Sequence, residues 1–217
     1  MCLGGGTEIA LHAAARQPHA ELYMGLVESS VGLIPAGGGC KEMLLRSLES
    51  GPAGARGDEA AIFEALKKNF ETIAMAKVST SAADARALGF LRPADDITMN
   101  RARLLTDASL KARAIADAGY SAPLPRTDIP VPGESVLATL KLAVWTMREG
   151  GFISDHDMKV ANWAAYALCG GKVQPGTLVS EQYLLDLERE AFLSLCGEKK
   201  TQERIAFTLK TGKPLRN

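Results

Sequence analysis

Long apolar runs are missing from this sequence. No stretch approaches the roughly 20 residues that a helix needs to cross a bilayer, and no basic leader precedes an apolar segment, so neither a membrane span nor a secretory signal is expected. Net charge is missing too: 25 Lys and Arg balance 25 Asp and Glu, so nothing global draws the chain to nucleic acid or to an anionic membrane surface. Cysteine is scarce. Cys2, Cys40, Cys169 and Cys196 form no CxxC, and no His stands near them at zinc-ligand spacing. Buried reduced thiols, no metal site and a reducing, cytoplasmic setting are therefore the expectation.

What is present begins with size. At 217 residues, 47% apolar and 23% charged, the chain suits one domain or two small ones with a buried core. The stretch that stands out is Leu3 to Gly39, LGGGTEIALHAAARQPHAELYMGLVESSVGLIPAGGG, with two glycine-rich turns and two carboxylates, Glu8 and Glu28. The chain reads as having no strand ahead of the first turn, as if it began in the middle of a domain.

Gly4-Gly5-Gly6 permit a tight turn, followed by a helix over Thr7–Ala15 that ends before Pro18. Glu21–Val27 suits a buried strand, and Val31–Pro35 is a second short apolar piece. Gly37–Gly39 lead into a helix with Met43, Leu44 and Leu48 inward. Gly51–Gly57 reads as a loop, and an amphipathic helix starts at Asp58, with Ile62, Ala65, Leu66, Ile73 and Ala74 near helical spacing. Ser81-x-x-Asp84 starts a short helix that stops at Gly89, and Asn100–Ala118 is a long one closed by Gly119. Four prolines make Ser121–Gly133 an extended linker and the best internal boundary. Beyond it come helices over Ser135–Arg148, Ser154–Leu168 and Ser180–Leu195, with Ser154 and Ser180 as N-caps, and a weaker helix to Leu209. Trp145, Met147 and Trp163 read as core, His19 and His156 as structural residues near helix ends, and the basic tail as solvated.

The chemistry would come from the first stretch. A glycine turn opening a helix points free N–H groups outward at the positive end of the helix dipole, a cradle for a phosphate or an oxyanion; a plain strand-to-helix turn is the blander alternative. Neither GxGxxG nor GxxxxGK[ST] spacing is met. Glu8 falls in the first helical turn, where an acid gains a few tenths to about 1 kcal/mol. Glu28 lies between apolar runs, where a carboxylate must be paired, protonated or working. Two carboxylates beside backbone donors suit addition or removal of water next to a carbonyl. His12, at i+4 from Glu8, could pair with it but reads more simply as a structural histidine.

LGGGTEIAL followed by MGLVESSVGLIPAGGGCKEML resembles the central motifs of the crotonase (enoyl-CoA hydratase/isomerase) superfamily, and KVSTSAADARALGFLRPAD resembles a later segment of it. The C-terminal LVSEQYLLDLEREAFLSLCGEKKTQERIAFTLKTGKPLRN resembles the end of a bacterial fusion of 3-hydroxyacyl-CoA dehydrogenase with a crotonase-like hydratase. The resemblance implies an α/β fold: the C-terminal half of a crotonase-like domain over residues 1–120, helix-dominated with few short strands. The Pro-rich linker over 121–133 and a helical C-terminal extension over 134–217 would follow. It implies hydration of trans-2-enoyl-CoA to 3-hydroxyacyl-CoA in fatty-acid β-oxidation, with Δ3–Δ2 isomerisation or a catalytically silent structural fragment as alternatives. Glu8 matches the carboxylate that activates water, Glu28 the one that exchanges a proton with the substrate α-carbon, and Gly5 an oxyanion-hole donor. Gly4, Gly6, Pro35 and Gly37 match substrate-binding positions. Acyl-CoA is the implied substrate; no cofactor is expected in this chain, and NAD belongs to the dehydrogenase domain of the parent polypeptide. In the family the second oxyanion donor, the early strands and much of the CoA surface precede the glycine turn, so the isolated chain is expected to be inactive. Neither nucleic acid nor membrane is expected as a partner, and self-association through the apolar face left by the absent strands is.

Overall fold

The computed structural model describes residues 1–49 and 59–217, so the loop expected at Gly51–Gly57 and the helix start at Asp58 lie outside the described residues. Helices dominate. The strand that sequence reading found missing is present as a two-residue piece: β1 (Cys2–Leu3) pairs in parallel with β2 (Met24–Gly25), Cys2 opposite Met24 and Leu3 opposite Gly25. Between them runs α1 (Gly5–His12), giving a compact strand–helix–strand unit. Thr7 stitches it, its Oγ1 lying 2.6 Å from Cys2 O and 2.9 Å from Gly25 O.

Helix α1 starts two residues earlier and ends three residues sooner than Thr7–Ala15. Arg16 accounts for the early stop: its Nη1 donates to the carbonyls of Ala10, Leu11 and Ala13 at 3.1–3.3 Å, taking acceptors that another helical turn would need. Its Nε meets Asp95 at 2.7 Å with both groups buried, and three contacts hold the Asp95 carboxylate below its usual range against its burial: the Arg16 side chain and the Arg92 and Arg16 backbone N–H groups.

After a 3-10 turn at Glu28–Val31 come α2 (Gly39–Leu48), α3 (Glu59–Ala74) and α4 (Ala82–Ala87), the last capped by Ser81 accepting from Asp84 N. Helix α5 (Leu104–Asp117) follows a 3-10 turn, buries none of its residues, and stops before Gly119 at φ +80°. The Pro-rich stretch is not extended and free throughout: β3 (Ile129–Pro130) pairs antiparallel with β4 (Leu178–Val179), and Ile129 and Val131 are buried.

Helices α6 (Gly133–Glu149), α7 (Asp155–Leu168), α8 (Glu181–Cys196) and α9 (Lys199–Thr211) complete the chain. Ser154 closes a capping box with Asp157, and Ser180 accepts from Tyr183 N, so both serines are N-caps. Helix α7 packs on α2 and α3 as well as on α6 and α8. One apolar cluster therefore runs from Leu11 through Met43 and Leu66 to Val160 and Leu195. Trp145 and Met147 do not belong to it. Leu137, Leu140 and Val144 take the inward face of α6, which leaves Trp145 53% exposed and Met147 36% exposed. Trp163 is half-buried and meets Tyr166 edge-on at 5.4 Å. Cys40 and Cys169 are buried, Cys2 and Cys196 partly so, and all four are free thiols. Among the described residues, no helix is long and apolar enough to cross a membrane.

Candidate active site

The first glycine turn sets Glu8. Gly4 adopts φ +56°, a conformation that side chains resist, and turns the chain from β1 into α1. Gly5 and Gly6 then open the helix, where the first N–H groups have no intrahelical acceptor. A Cβ on Gly4 would stand 3.2 Å from Glu28 Oε1, and one on Gly5 4.0 Å from Glu8 Oε2. The turn thus lies against both acids.

Glu8 is buried, and its Oε1 accepts from Gly37 N at 2.7 Å and from Gly39 N at 3.0 Å. The second glycine turn is thereby a clamp on the carboxylate that the first turn delivers. No side chain fits at the clamp: a Cβ on Gly37 would fall 2.7 Å from Glu8 Oε2, and one on Gly39 would fall 2.5 Å from Pro35 Cβ. Pro35 is buried beneath the clamp, and Gly6 faces Cys2 Sγ. His12 does not pair with the Glu8 carboxylate; its Nδ1 lies 2.7 Å from the Glu8 carbonyl oxygen, and its Nε2 is 3.7 Å from Glu42.

Glu28 opens the 3-10 turn, with Ser29 anchored to Ile73 O at 2.8 Å. Its Oε2 is buried and has no hydrogen-bond partner among the described residues. Burial pushes the carboxyl up to about 7, opposed by its own backbone N–H and helped by the nearby Glu8 carboxylate. The turn ends at Gly32, φ +81°, whose carbonyl accepts from Thr201 Oγ1 at 2.9 Å; Thr201 in turn meets buried His156 Nε2 at 2.8 Å. His156 is thus a satisfied structural histidine.

Glu8 and Glu28 line one cavity of about 460 Å³ together with Ile34, Ala36, Gly37, Leu185, Arg189 and Phe192. Of the residues singled out from sequence, Glu8, Glu28 and Gly37 line the cavity; Gly4 and Gly5 lie beside the two acids, and Gly6 and Pro35 are not on its wall. Leu185, Arg189 and Phe192 escaped sequence reading. They share one face of α8, and nothing local in that helix marks them as neighbours of a glycine turn some 150 positions earlier. Glu188, on the same helix, was missed for the same reason. It is fully buried, its Oε2 accepts from Gly38 N at 2.8 Å and its Oε1 from Lys41 N at 2.6 Å.

Over 99% of its length the chain superposes on 58% of EchA1_1 from Mycobacterium paratuberculosis, at TM-score 0.50 and 20% identity. It also superposes, at TM-score 0.50 and 19% identity, on 53% of a Streptomyces avermitilis protein provisionally described as an enoyl-CoA hydratase, with 97% of this chain covered. The chain has the crotonase fold. No family model matches it. Among curated proteins, a Bacillus subtilis (strain 168) protein described as a probable 3-hydroxyacyl-CoA dehydrogenase is 50% identical over 217 residues, all of this chain and 26% of that protein. A Rickettsia felis protein, provisionally described as a fatty acid oxidation complex trifunctional enzyme, is 29% identical over 97% of this chain and 25% of its own length. The chain spans about a quarter of the length of these relatives. In this crotonase-fold chain, the glycine turns, the two acids and the cavity all lie where the first 39 residues meet α8.

Proposed function

We propose that this chain carries the acid–base part of a 2-enoyl-CoA hydratase site within a longer fatty-acid-oxidation polypeptide. The observation that carries the reading is the pair Glu8 and Glu28 on one cavity wall, beside the open N–H groups at the start of α1. In hydration, Glu8 Oε2 accepts a proton from water as the water oxygen bonds to C3 of the enoyl thioester. The proton of Glu28 passes to C2, and the thioester oxygen, carrying enolate charge, takes the Gly5 N–H. The carboxyl of Glu28, titrating at about 7, can give and take that proton at neutral pH. The names of the Bacillus subtilis and Rickettsia felis relatives support fatty-acid oxidation as the setting. In the parent polypeptide the dehydrogenase step would belong to residues outside this chain.

The test is loss of enoyl-thioester absorbance with crotonyl-CoA in the full-length polypeptide. Glu8→Gln and Glu28→Gln should each lower turnover by about 100-fold or more; unchanged hydration in both variants would overturn the reading. Isomerisation of 3-enoyl-CoA outpacing hydration would transfer the site to the single-base reaction. The chain by itself, spanning about a quarter of its relatives' length, should hydrate crotonyl-CoA far more slowly than the full-length polypeptide.

A further inference from the structure

The clamp on Glu8 is a glycine turn, and glycine peptides rotate with little resistance. No side chain of Gly37, Gly38 or Gly39 can hold the turn in place. Its N–H groups alternate between two carboxylates. Those of Gly37 and Gly39 go to Glu8 Oε1, and those of Gly38 and Lys41 go to Glu188. Neighbouring peptide planes share a Cα, so a rotation that released Gly38 N–H would also swing the N–H of Gly39 away from Glu8.

Glu188 is placed to prevent this. It stands on α8 between Leu184, Leu187 and Ala191, which are in the core, with no exposed surface of its own. It does not line the cavity. Lys41 Nζ makes no ion pair with it but meets Glu42 Oε1 and Glu181 Oε2, both at 2.8 Å, so its charge reaches Glu188 only through space. Its bonds are to the backbone donors Gly38 N and Lys41 N at the N-terminus of α2, which oppose a burial that pushes the carboxyl up to about 8. Such a buried acid serves stability poorly, but it suits the fixing of a loop.

We propose that Glu188 is a positioning residue for Glu8: its carboxylate fixes the Gly37–Gly39 turn, and the turn's remaining N–H groups hold Glu8 with Oε2 facing the cavity. The inference rests on the hydratase reading for its effect on rate, though the coupling of the two carboxylates through the turn stands apart from that reading. Glu188→Gln keeps the shape and removes one acceptor, so one of the two N–H groups it holds, that of Gly38 or that of Lys41, loses its partner.

In the full-length polypeptide, Glu188→Gln should lower kcat for crotonyl-CoA hydration about 10- to 100-fold with KM within about threefold, because ground-state binding does not pass through the clamp. A folded Glu188→Gln variant with kcat within about twofold of the parent, where Glu8→Gln abolishes turnover, would overturn the proposal and leave the hydratase reading intact. Amide hydrogen exchange on the unsubstituted chain provides a second measurement, should the variant fail to fold. The amides of Gly37, Gly38, Gly39 and Lys41 should open as one unit, with protection factors within about threefold of one another. A difference of tenfold or more between the Glu8-bound pair and the Glu188-bound pair would overturn the coupling. If Glu8→Gln and Glu28→Gln both retain full hydration, the hydratase reading fails, and with it the effect of Glu188 on rate; common protection of the four amides would still place Glu188 as the holder of the turn.

Discussion

Replacing Glu28 by Gln should stabilise the protein at alkaline pH and not at acid pH. The carboxyl of Glu28 is raised from 4.5 to about 7, chiefly by burial. A folded state with the higher value holds a proton that the unfolded chain releases. Its contribution is therefore complete below about pH 4.5 and is lost as pH rises through about 7. At about 1.4 kcal/mol per pH unit, the interval from 4.5 to about 7 corresponds to ~3 kcal/mol. Water entering the cavity reduces this, so ~1–3 kcal/mol is the expected span. Urea unfolding of parent and Glu28→Gln chains at pH 5 and pH 8.5 isolates the effect, because every other titrating group, Glu188 included, is common to both. The variant should gain ~1–3 kcal/mol relative to the parent between the two pH values. Two results would refute the reasoning: the same difference at both pH values, or a variant less stable than the parent at pH 8.5. Either would mean that the Glu28 carboxylate has a partner that favours its charged form.

Gly37→Ala should cost about 100-fold in crotonyl-CoA hydration by the full-length polypeptide, because the new Cβ would fall 2.7 Å from Glu8 Oε2 and displace the carboxylate; a loss below threefold would show that the clamp has room. Thr201→Val should destabilise the chain by ~1–3 kcal/mol in urea, since it leaves buried His156 Nε2 and the Gly32 carbonyl without their shared hydroxyl; a change under about 0.5 kcal/mol would refute this. Light scattering of the isolated chain should give a mass above 23.0 kDa, because Leu105, Leu110, Leu124, Leu142 and Phe152 are each more than half exposed. A clean monomer would count against self-association.

The parts of this fold that were legible in sequence are local. Ser81, Ser154 and Ser180 each accept from an N–H three residues ahead, so a short window holds the whole signal. Glu8 and Glu28 sit beside glycine turns that bring them to one wall, and the turns are visible as composition. Strands β1 and β2 are two residues each, too short to display alternation, and for that reason β1 looked absent. The stop of α1 depended on Arg16 and its partner Asp95, 79 positions away. The exposure of Trp145 depended on which of two helical phases α6 chose, and the burial of Leu140 and Val144 decided it. Glu188 depended on the packing of α8 against the N-terminus of α2, a contact that no window of sequence contains.

The allotment of backbone donors distinguishes the two acids. The start of α2 and the turn before it offer four N–H groups to carboxylates, two taken by Glu8 and two by Glu188. Glu28 shares the cavity with Glu8 but receives none of the four, and its Oε2 is buried without a partner among the described residues. Burial raises its carboxyl to about 7 against the support of its own backbone N–H, and burial raises Glu188 to about 8 although that acid holds two of the four N–H groups. An acid held by fixed donors keeps one oxygen aimed at a water, whereas an acid raised by burial to about 7 exchanges its proton readily near neutral pH. In the proposed hydration, Glu8 is the acid that the turn holds in place, and Glu28 is the acid whose burial suits it to exchange a proton.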